Sequence, residues 1–224
     1  MSVAVIVPVY ANAATLPALA ERTARALAPR PFRLRLVVDA SPDDSLAVCR
    51  LLADGDPRIA VTDLPRNLGQ HRALTRGLAD EPEADAWALL DGDLQDPPGA
   101  LPALLDRLAV GDVDAVFAGR RGDYEAAGRR ATGRLHRMAL ARLTGLPPDA
   151  GAFLVLSPAA RHAVLALGGP SVVAAIGIAG VPTVSVPVHR DPRPVGRSAW
   201  TGTARFRQSA RTLTWAAARR TRAG

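Results

Sequence analysis

The stretch of this chain best equipped for chemistry is Trp87-Ala-Leu-Leu-Asp91-Gly-Asp93-Leu-Gln95-Asp96-Pro-Pro98, where an apolar run stops at three carboxylates and an amide. Trp87 to Leu90 has no polar face and is closed by a glycine and a proline pair, the pattern of a doubly buried parallel strand at its end. In an extended chain, side chains at i, i+2 and i+4 project to one side, so Asp91, Asp93 and Gln95 are expected to converge. Carboxylates that close repel one another unless a cation lies between them, and Mg²⁺ or Mn²⁺ accepts carboxylate and amide oxygens. The cluster is therefore a candidate metal site beyond the carboxyl end of a strand, where open α/β sheets bind their ligands. An Asp-x-Asp pair also occurs in solvated loops, so the weight of the argument falls on the rest of the chain.

Composition narrows the field. A length of 224 residues suits one α/β domain with a sizeable core. All 28 basic residues are arginine. The lack of lysine excludes a Walker lysine, a Schiff-base lysine and a Ser-Lys pair. The net charge is +7, yet the arginines are spread along the chain and only 4% of residues are aromatic. A base-stacking platform is thus not expected, and phosphates on small molecules or lipid are better partners than nucleic acid. Cys49 is the only cysteine, so an internal disulfide is excluded and a reducing cytosol fits. His71, His136, His162 and His189 are isolated from one another and offer no zinc spacing. Trp87 and Trp200 read as packing residues.

The elements that position the acidic cluster follow from periodicity. Val3 to Val9 is a β-branched run that predicts a central strand, followed by a helix over Asn12 to Leu27 with Asn12 or Thr15 as its cap. Phe32 to Val38 predicts a second strand, and Asp39-Ala-Ser41-Pro-Asp43-Asp44-Ser45 a turn that caps a helix reaching Leu52. Ile59 to Leu64 is a third strand, and Asn67-Leu-Gly69 opens a helix to Leu78. This β-α alternation predicts a right-handed parallel sheet with helices on both faces. Further on, Gly99 to Ala109 reads as a helix, Asp114 to Gly119 as a strand, Arg129 to Leu143 as an arginine-rich helix and Phe153 to Leu156 as a strand. Pro158 to Leu167 reads as a helix and Pro182 to His189 as a strand. The uncharged segment Ala163 to Val188 is long enough to raise the question of a membrane span, but its glycines and prolines break it into a helix, a loop and a strand. No signal peptide is visible, and a soluble or peripheral protein is expected.

In order, Val7-Pro8-Val9-Tyr10, Asp39-Ala-Ser41-Pro-Asp43, Asn67-Leu-Gly69, Asp91-Gly-Asp93-Leu-Gln95-Asp96-Pro-Pro98, Gly119-Arg120, Asp149-Ala-Gly151 and Arg193-Pro-Val-Gly196-Arg197-Ser198 resemble the inverting family-two glycosyltransferases. The closest likeness is to their dolichol-phosphate mannose synthase-like, polyprenyl-phosphate branch. The resemblance covers about residues 3 to 200 and implies a GT-A fold, a Rossmann-like and mostly parallel α/β sheet with helices on both faces. It implies a UDP-, GDP- or dTDP-sugar donor, with Pro8 and Tyr10 lining the nucleotide pocket, Asp39 on the base, and Asn67 and Gly69 facing the donor. Asp91, Asp93 and Gln95 would hold Mg²⁺ or Mn²⁺ against the diphosphate, and Arg120, Arg193 and Ser198 would meet phosphate groups. The acceptor would be a polyprenyl phosphate or a small soluble molecule; for a hydroxyl acceptor, Asp149 or Asp96 is the candidate base. A non-catalytic partner subunit is the reading from another class. It is motivated by departures from the family pattern: Ala11-Asn12 after the tyrosine, Val38 before Asp39, and Leu154 where the family carries arginine.

A glycosyltransferase domain over 1–200 and an arginine-rich tail over 201–224 are thus expected. The tail reads equally as a surface helix, a frayed end, or an interfacial helix on anionic lipid with Phe206, Leu213 and Trp215 as apolar contacts. The arginines of the predicted helix, Arg129, Arg130 and Arg134, could meet an acceptor phosphate or be a solvated helix face. The expected location is cytoplasmic, peripheral at the inner membrane face.

Overall fold

A computed structural model of the protein describes residues 1–121, 138–190 and 202–220, with only the backbone described for 120, 121 and 202–205. Among the described residues seven strands form one sheet: β1 (Val3–Val9), β2 (Phe32–Val38), β3 (Ile59–Asp63), β4 (Ala86–Leu89), β5 (Ala115–Arg121), β6 (Leu154–Leu156) and β7 (Thr183–His189). Their order is β3-β2-β1-β4-β6-β5-β7. β1 pairs in parallel with both β2 and β4, and β2 with β3. The sheet is mostly parallel, as expected: the short β6 runs antiparallel to β4 and β5, while β7 is parallel to β5.

The helices are α1 (Leu16–Leu27), α2 (Ser45–Gly55), α3 (Gln70–Asp80), α4 (Leu101–Ala109), α5 (Pro158–Leu167), α6 (Val172–Ile178) and α7 (Gly202–Arg220), with a helical stretch at 138–144. Alternate strand residues point to opposite faces. Val3, Val5, Val7 and Val9 of β1 meet Leu16 and Leu19 of α1, Cys49 of α2 and Leu104 of α4 on one side. Ala4 and Ile6 meet Leu74 and Leu78 of α3, Val164 of α5 and Ile176 of α6 on the other. Burial on both faces explains why these strands read as continuous apolar runs. Trp87 is a packing residue: it is buried, donates from Nε1 to the Glu81 carbonyl at 2.7 Å, and carries Arg161 over its ring at 4.9 Å.

Two helices differ from expectation. α1 begins at Leu16, not Asn12, and Thr15 makes no side-chain cap; its hydroxyl donates instead to the carbonyls of Asn12 (3.0 Å) and Gly92 (2.6 Å). The segment after α5 is not one loop, because Val172–Ile178 forms a second helix capped by Ser171, whose Oγ accepts from the Ala174 amide. Among the described residues no single helix is long and apolar enough to cross a membrane.

Residues 202–220 form α7, a helix packed on the core and not a frayed end. Thr212 and Ala216 are buried, Leu213 and Trp215 pack on the α3–α6 side of the core, and the Trp215 ring lies against Gly169. Gln208 Nε2 donates to the Pro170 carbonyl (2.7 Å), and Arg220 Nη1 to the Arg142 carbonyl (2.8 Å). Leu213 and Trp215 are therefore core contacts and not lipid contacts; Phe206, 76% exposed, is the outward apolar residue.

Candidate active site

Chain direction across the sheet reverses between β1 and β4: β1, β2 and β3 step outward to one side, and the connection through α3 returns to place β4 on the other. Such a switch point leaves a crevice at the carboxyl ends of its strands. Tyr10 follows β1 there, and Asp91 follows β4.

The loops that meet in this crevice are tied to one another by side chains. The amides of Ala11, Asn12 and Ala13 donate to Ser41 Oγ (2.8 Å), Ser45 Oγ (3.0 Å) and Asp43 Oδ2 (3.2 Å). Both serine hydroxyls then donate to Asp43 Oδ1 at 2.6 Å. Burial pushes the Asp43 carboxyl up, but these hydroxyls and the Ala13 and Ser45 amides together outweigh it and hold the group below its ordinary value. Asp39 is buried, and its two oxygens accept from the amides of Leu68 (2.6 Å) and Gly69 (2.8 Å). Gly69, at φ 87°, then turns the chain into α3. Pro8 is half-buried, Tyr10 is 37% exposed and Asn67 is exposed on the rim. The non-glycine residues with positive φ among those described are Ala11 (54°), Ala40 (49°) and Leu94 (61°), one in each loop after β1, β2 and β4. Backbone strain of this kind persists only where surrounding contacts over-determine it, and it clusters at ligand sites.

The acidic string does not stay extended. It turns at 92–94, with Leu94 left-handed and the Gly92 carbonyl held by Thr15, so the i, i+2, i+4 geometry expected of a strand is replaced by a turn. Asp93, Gln95 and Asp96 are buried, and Asp91 is half-buried. Asp93 Oδ1 accepts from the Gln95 amide at 3.1 Å. Asp91 Oδ1 accepts from Gln70 Nε2, at the first residue of α3. Arg190, one residue beyond β7 and 7% exposed, spans two carboxylates: Nη2 donates to Asp91 Oδ2 (3.2 Å) and Nε to Asp96 Oδ1 (2.9 Å). Asp96 is thereby an ion-pair partner and not a ready base.

On the far side of the crevice, β5 carries Gly119. A methyl group there would collide with Asp149 Oδ2 and Ser185 Oγ, so glycine lets the half-buried Asp149 lie against the strand. The backbone of Arg120 continues β5 in register with Val188 of β7. The Arg120 side chain, Arg129, Arg130, Arg134, Arg193, Ser198 and Trp200 lie outside the described residues.

The donor set of Asp91, Asp93 and Gln95 is all oxygen, as Mg²⁺ and Mn²⁺ require. Among the described residues no group of three His, Cys, Asp or Glu could by itself hold a metal ion. That agrees with the way Mg²⁺ is bound in phosphate-handling sites, through one or two carboxylates plus the phosphates of the substrate. The donor types suit a cation completed by a diphosphate. Gln70 and Arg190 were missed by sequence reasoning; a polar residue directly after the Asn67-Leu-Gly69 turn and an arginine directly after a strand were the available signals.

A doubly wound sheet with an acidic turn at its switch point defines an open α/β protein whose candidate ligand site lies at the carboxyl ends of its strands. The Glycosyl transferase family 2 profile matches residues 4–158, and the chain belongs to that family. It is 39% identical over 148 residues to the undecaprenyl-phosphate 4-deoxy-4-formamido-L-arabinose transferase of Pseudomonas aeruginosa (strain LESB58), covering 64% of this chain and 43% of the relative. The Serratia proteamaculans (strain 568) protein of the same name is 36% identical over 147 residues, covering 64% and 44%. The match thus spans less than half the length of these relatives. Among solved structures, glucosyl-3-phosphoglycerate synthase from Mycobacterium tuberculosis with Mn²⁺, UDP-glucose and phosphoglyceric acid superposes with a TM-score of 0.72 at 20% identity, over 98% of this chain and 80% of that one. A mannosyltransferase from Pyrobaculum calidifontis with GDP-mannose and Mn²⁺ gives 0.67 at 20% identity, over 99% and 64%. These likenesses show the fold, which is GT-A.

Proposed function

We propose that the protein is an inverting, divalent-cation-dependent glycosyltransferase that moves a sugar from a nucleoside-diphosphate sugar to a polyprenyl phosphate. The observation that carries the reading is the acidic turn Asp91-Gly-Asp93-Leu-Gln95-Asp96 at the β1/β4 switch point, beside a rim of tethered loops. The acceptor class is supported by the names of the relatives, and the nucleotide and metal by the complexes in which the structural neighbours were solved.

Asp91, Asp93 and Gln95 would hold the cation. Bound there, it would supply positive charge to the leaving diphosphate. The nucleotide would lie along the loops after β1, β2 and β3, with Pro8, Tyr10, Asn67 and Gly69 facing it. Asp39 would act on the base side by fixing the turn before α3. As the glycosidic bond breaks, the sugar's anomeric carbon exchanges the diphosphate oxygen for an acceptor oxygen on the opposite face, and arginines at 120 and 193 with Ser198 would neutralise phosphate charge. A phosphate monoester, with its second pKa near ~6, is largely dianionic at neutral pH and needs positioning more than a general base. The half-buried Asp149 favours a second reading, a hydroxyl acceptor with this carboxylate as base.

α7 would bring the protein to the membrane. Its outward residues include Phe206, Arg207, Arg211, Arg219 and Arg220, and the helix contains no acidic residue, which suits anionic lipid at the cytosolic face. The test is transfer from labelled UDP-, GDP- and dTDP-sugars to a short polyprenyl phosphate with Mn²⁺, in parallel with cosedimentation on anionic vesicles. Lipid-linked sugar from one donor and salt-sensitive vesicle binding are the expected results. Transfer to a soluble hydroxyl acceptor alone would replace the lipid reading by the second one.

A further inference from the structure

The acidic turn carries a cation of its own. Arg190 reaches it from the end of β7, 99 residues from Asp91 and 94 from Asp96, and is more than nine-tenths buried. Its surroundings include Pro97, Ala118, Phe153 and Val188, so the guanidinium sits between apolar walls and two carboxylates. A fork of N–H donors suits that bridge, and a buried guanidinium so held is not easily given up. The consequence is electrostatic. Among the described residues Asp91, Asp93 and Asp96 bring three negative charges and Arg190 removes one, and a positive charge held on two of these carboxylates would oppose the binding of a cation by them.

Resting on the metal-site reading above, we infer that Arg190 is a positioning residue that sets the site's affinity for divalent cation, keeping it weak for the ion alone and strong for the ion together with a diphosphate. The diphosphate brings the negative charge that Arg190 offsets, and it gains from the guanidinium. Cation and diphosphate therefore bind with a positive coupling that Arg190 enlarges, and by linkage each tightens the other by the same factor. A cation held only with its nucleotide is released with it, which is what turnover requires of a site that must discharge nucleoside diphosphate.

The test is Mn²⁺ titration of wild type, Arg190→Gln and Asp93→Ala, followed by the electron paramagnetic resonance signal of free Mn²⁺, without nucleotide and with the nucleoside diphosphate that binds wild type. Arg190→Gln is expected to bind Mn²⁺ alone about 10-fold more tightly than wild type, since a buried opposing charge is gone. The tightening of Mn²⁺ by diphosphate is expected to shrink by a similar factor. A purely structural role for Arg190 predicts the opposite sign, weaker Mn²⁺ binding from a disordered turn. If Arg190→Gln does not fold because Asp96 is left buried and unpaired, Asp96→Asn is compared with Asp96→Asn/Arg190→Met, which leaves no charge at the buried position 96, leaves the half-buried Asp91 its hydrogen bond from Gln70, and places an apolar side chain in an apolar crevice. The double variant is expected to bind Mn²⁺ more tightly than the single. Equal or weaker Mn²⁺ binding on loss of the guanidinium, with Asp93→Ala still abolishing it, overturns this inference and leaves the metal site standing. Mn²⁺ binding indifferent to Asp93→Ala overturns both.

Discussion

The two halves of the sheet furnish the crevice in different ways. On the β1–β4 side, each strand end is stitched to its neighbour through a backbone amide or carbonyl: Ser41, Asp43 and Ser45 hold the loop after β1, Asp39 holds the turn before α3, and Thr15 holds Gly92. On the β5–β7 side, the described contributions are a close approach, Asp149 over Gly119, and a charge, Arg190. On the proposed function, the first half would be a fixed rim for a nucleotide, and the second would reach across it with the groups that meet charge. Donor binding should therefore depend on hydrogen-bond geometry in the first half, and turnover on steric fit and charge in the second.

That division can be broken in several places. The largest effect is expected from Gly119→Ala, whose methyl group would drive Asp149 off β5. A displacement of that size costs transfer about 100-fold, with diphosphate affinity nearly unchanged. Calorimetry and an initial-rate assay on the same preparation separate the two quantities; full activity would remove Asp149 from the account. Next comes Asp39→Ala, which strips the amides of Leu68 and Gly69 of their acceptor. It should lower unfolding free energy by about 2–4 kcal/mol in urea titration and weaken diphosphate binding as well. Stability lost without any change in affinity would mean the turn before α3 does not face the donor.

Smaller effects sharpen the boundary. Trp215→Ala removes the ring that packs on Gly169 and should cost about 2 kcal/mol, because the side chain is only half-buried, while leaving diphosphate binding intact. A loss of donor affinity would extend the rim to α7. Smallest is the acid response of Asp43. Its folded pKa lies below the ordinary value of 3.8, so its contribution is present above that value and is lost as pH falls through the folded one. The stability difference between wild type and Asp43→Asn should therefore narrow progressively as pH drops below about 4, measured as thermal midpoints from neutral pH downward. A gap that stays constant would show that the serine hydroxyls, not the charge, tie these loops.

The same division explains what was legible beforehand. β1 was readable because burial on both faces leaves an unbroken apolar run, β2 because apolar residues alternate with Arg33 and Arg35 before Val37 and Val38, and the acidic string because its residue types have few other uses. The parallel α/β sheet followed from the alternation of strands and helices, and the family, with the GT-A fold it implies, from the ordered motifs. The turn at Leu94 was not readable, since a leucine gives no notice of a left-handed φ. α6 was hidden because Val172–Ile178 is apolar on all sides, and a buried helix shows no amphipathic period. Antiparallel β6 was hidden too, as three apolar residues carry no direction. Arg190 was beyond reach for a different reason: its partners lie more than ninety residues away, and only the return of β7 beside β5 brings them together.

The central claim is that the crevice after β1 and β4 binds a nucleoside diphosphate through a divalent cation at Asp91, Asp93 and Gln95. Calorimetric titration with UDP, GDP and dTDP, each with Mn²⁺ and with chelator, on wild type and Asp93→Ala tests it directly. The account predicts that one of the three binds wild type, that chelator abolishes the binding, and that Asp93→Ala loses it. Binding of none, or binding indifferent to chelator and to Asp93→Ala, would contradict it and reduce the acidic string to a structural turn.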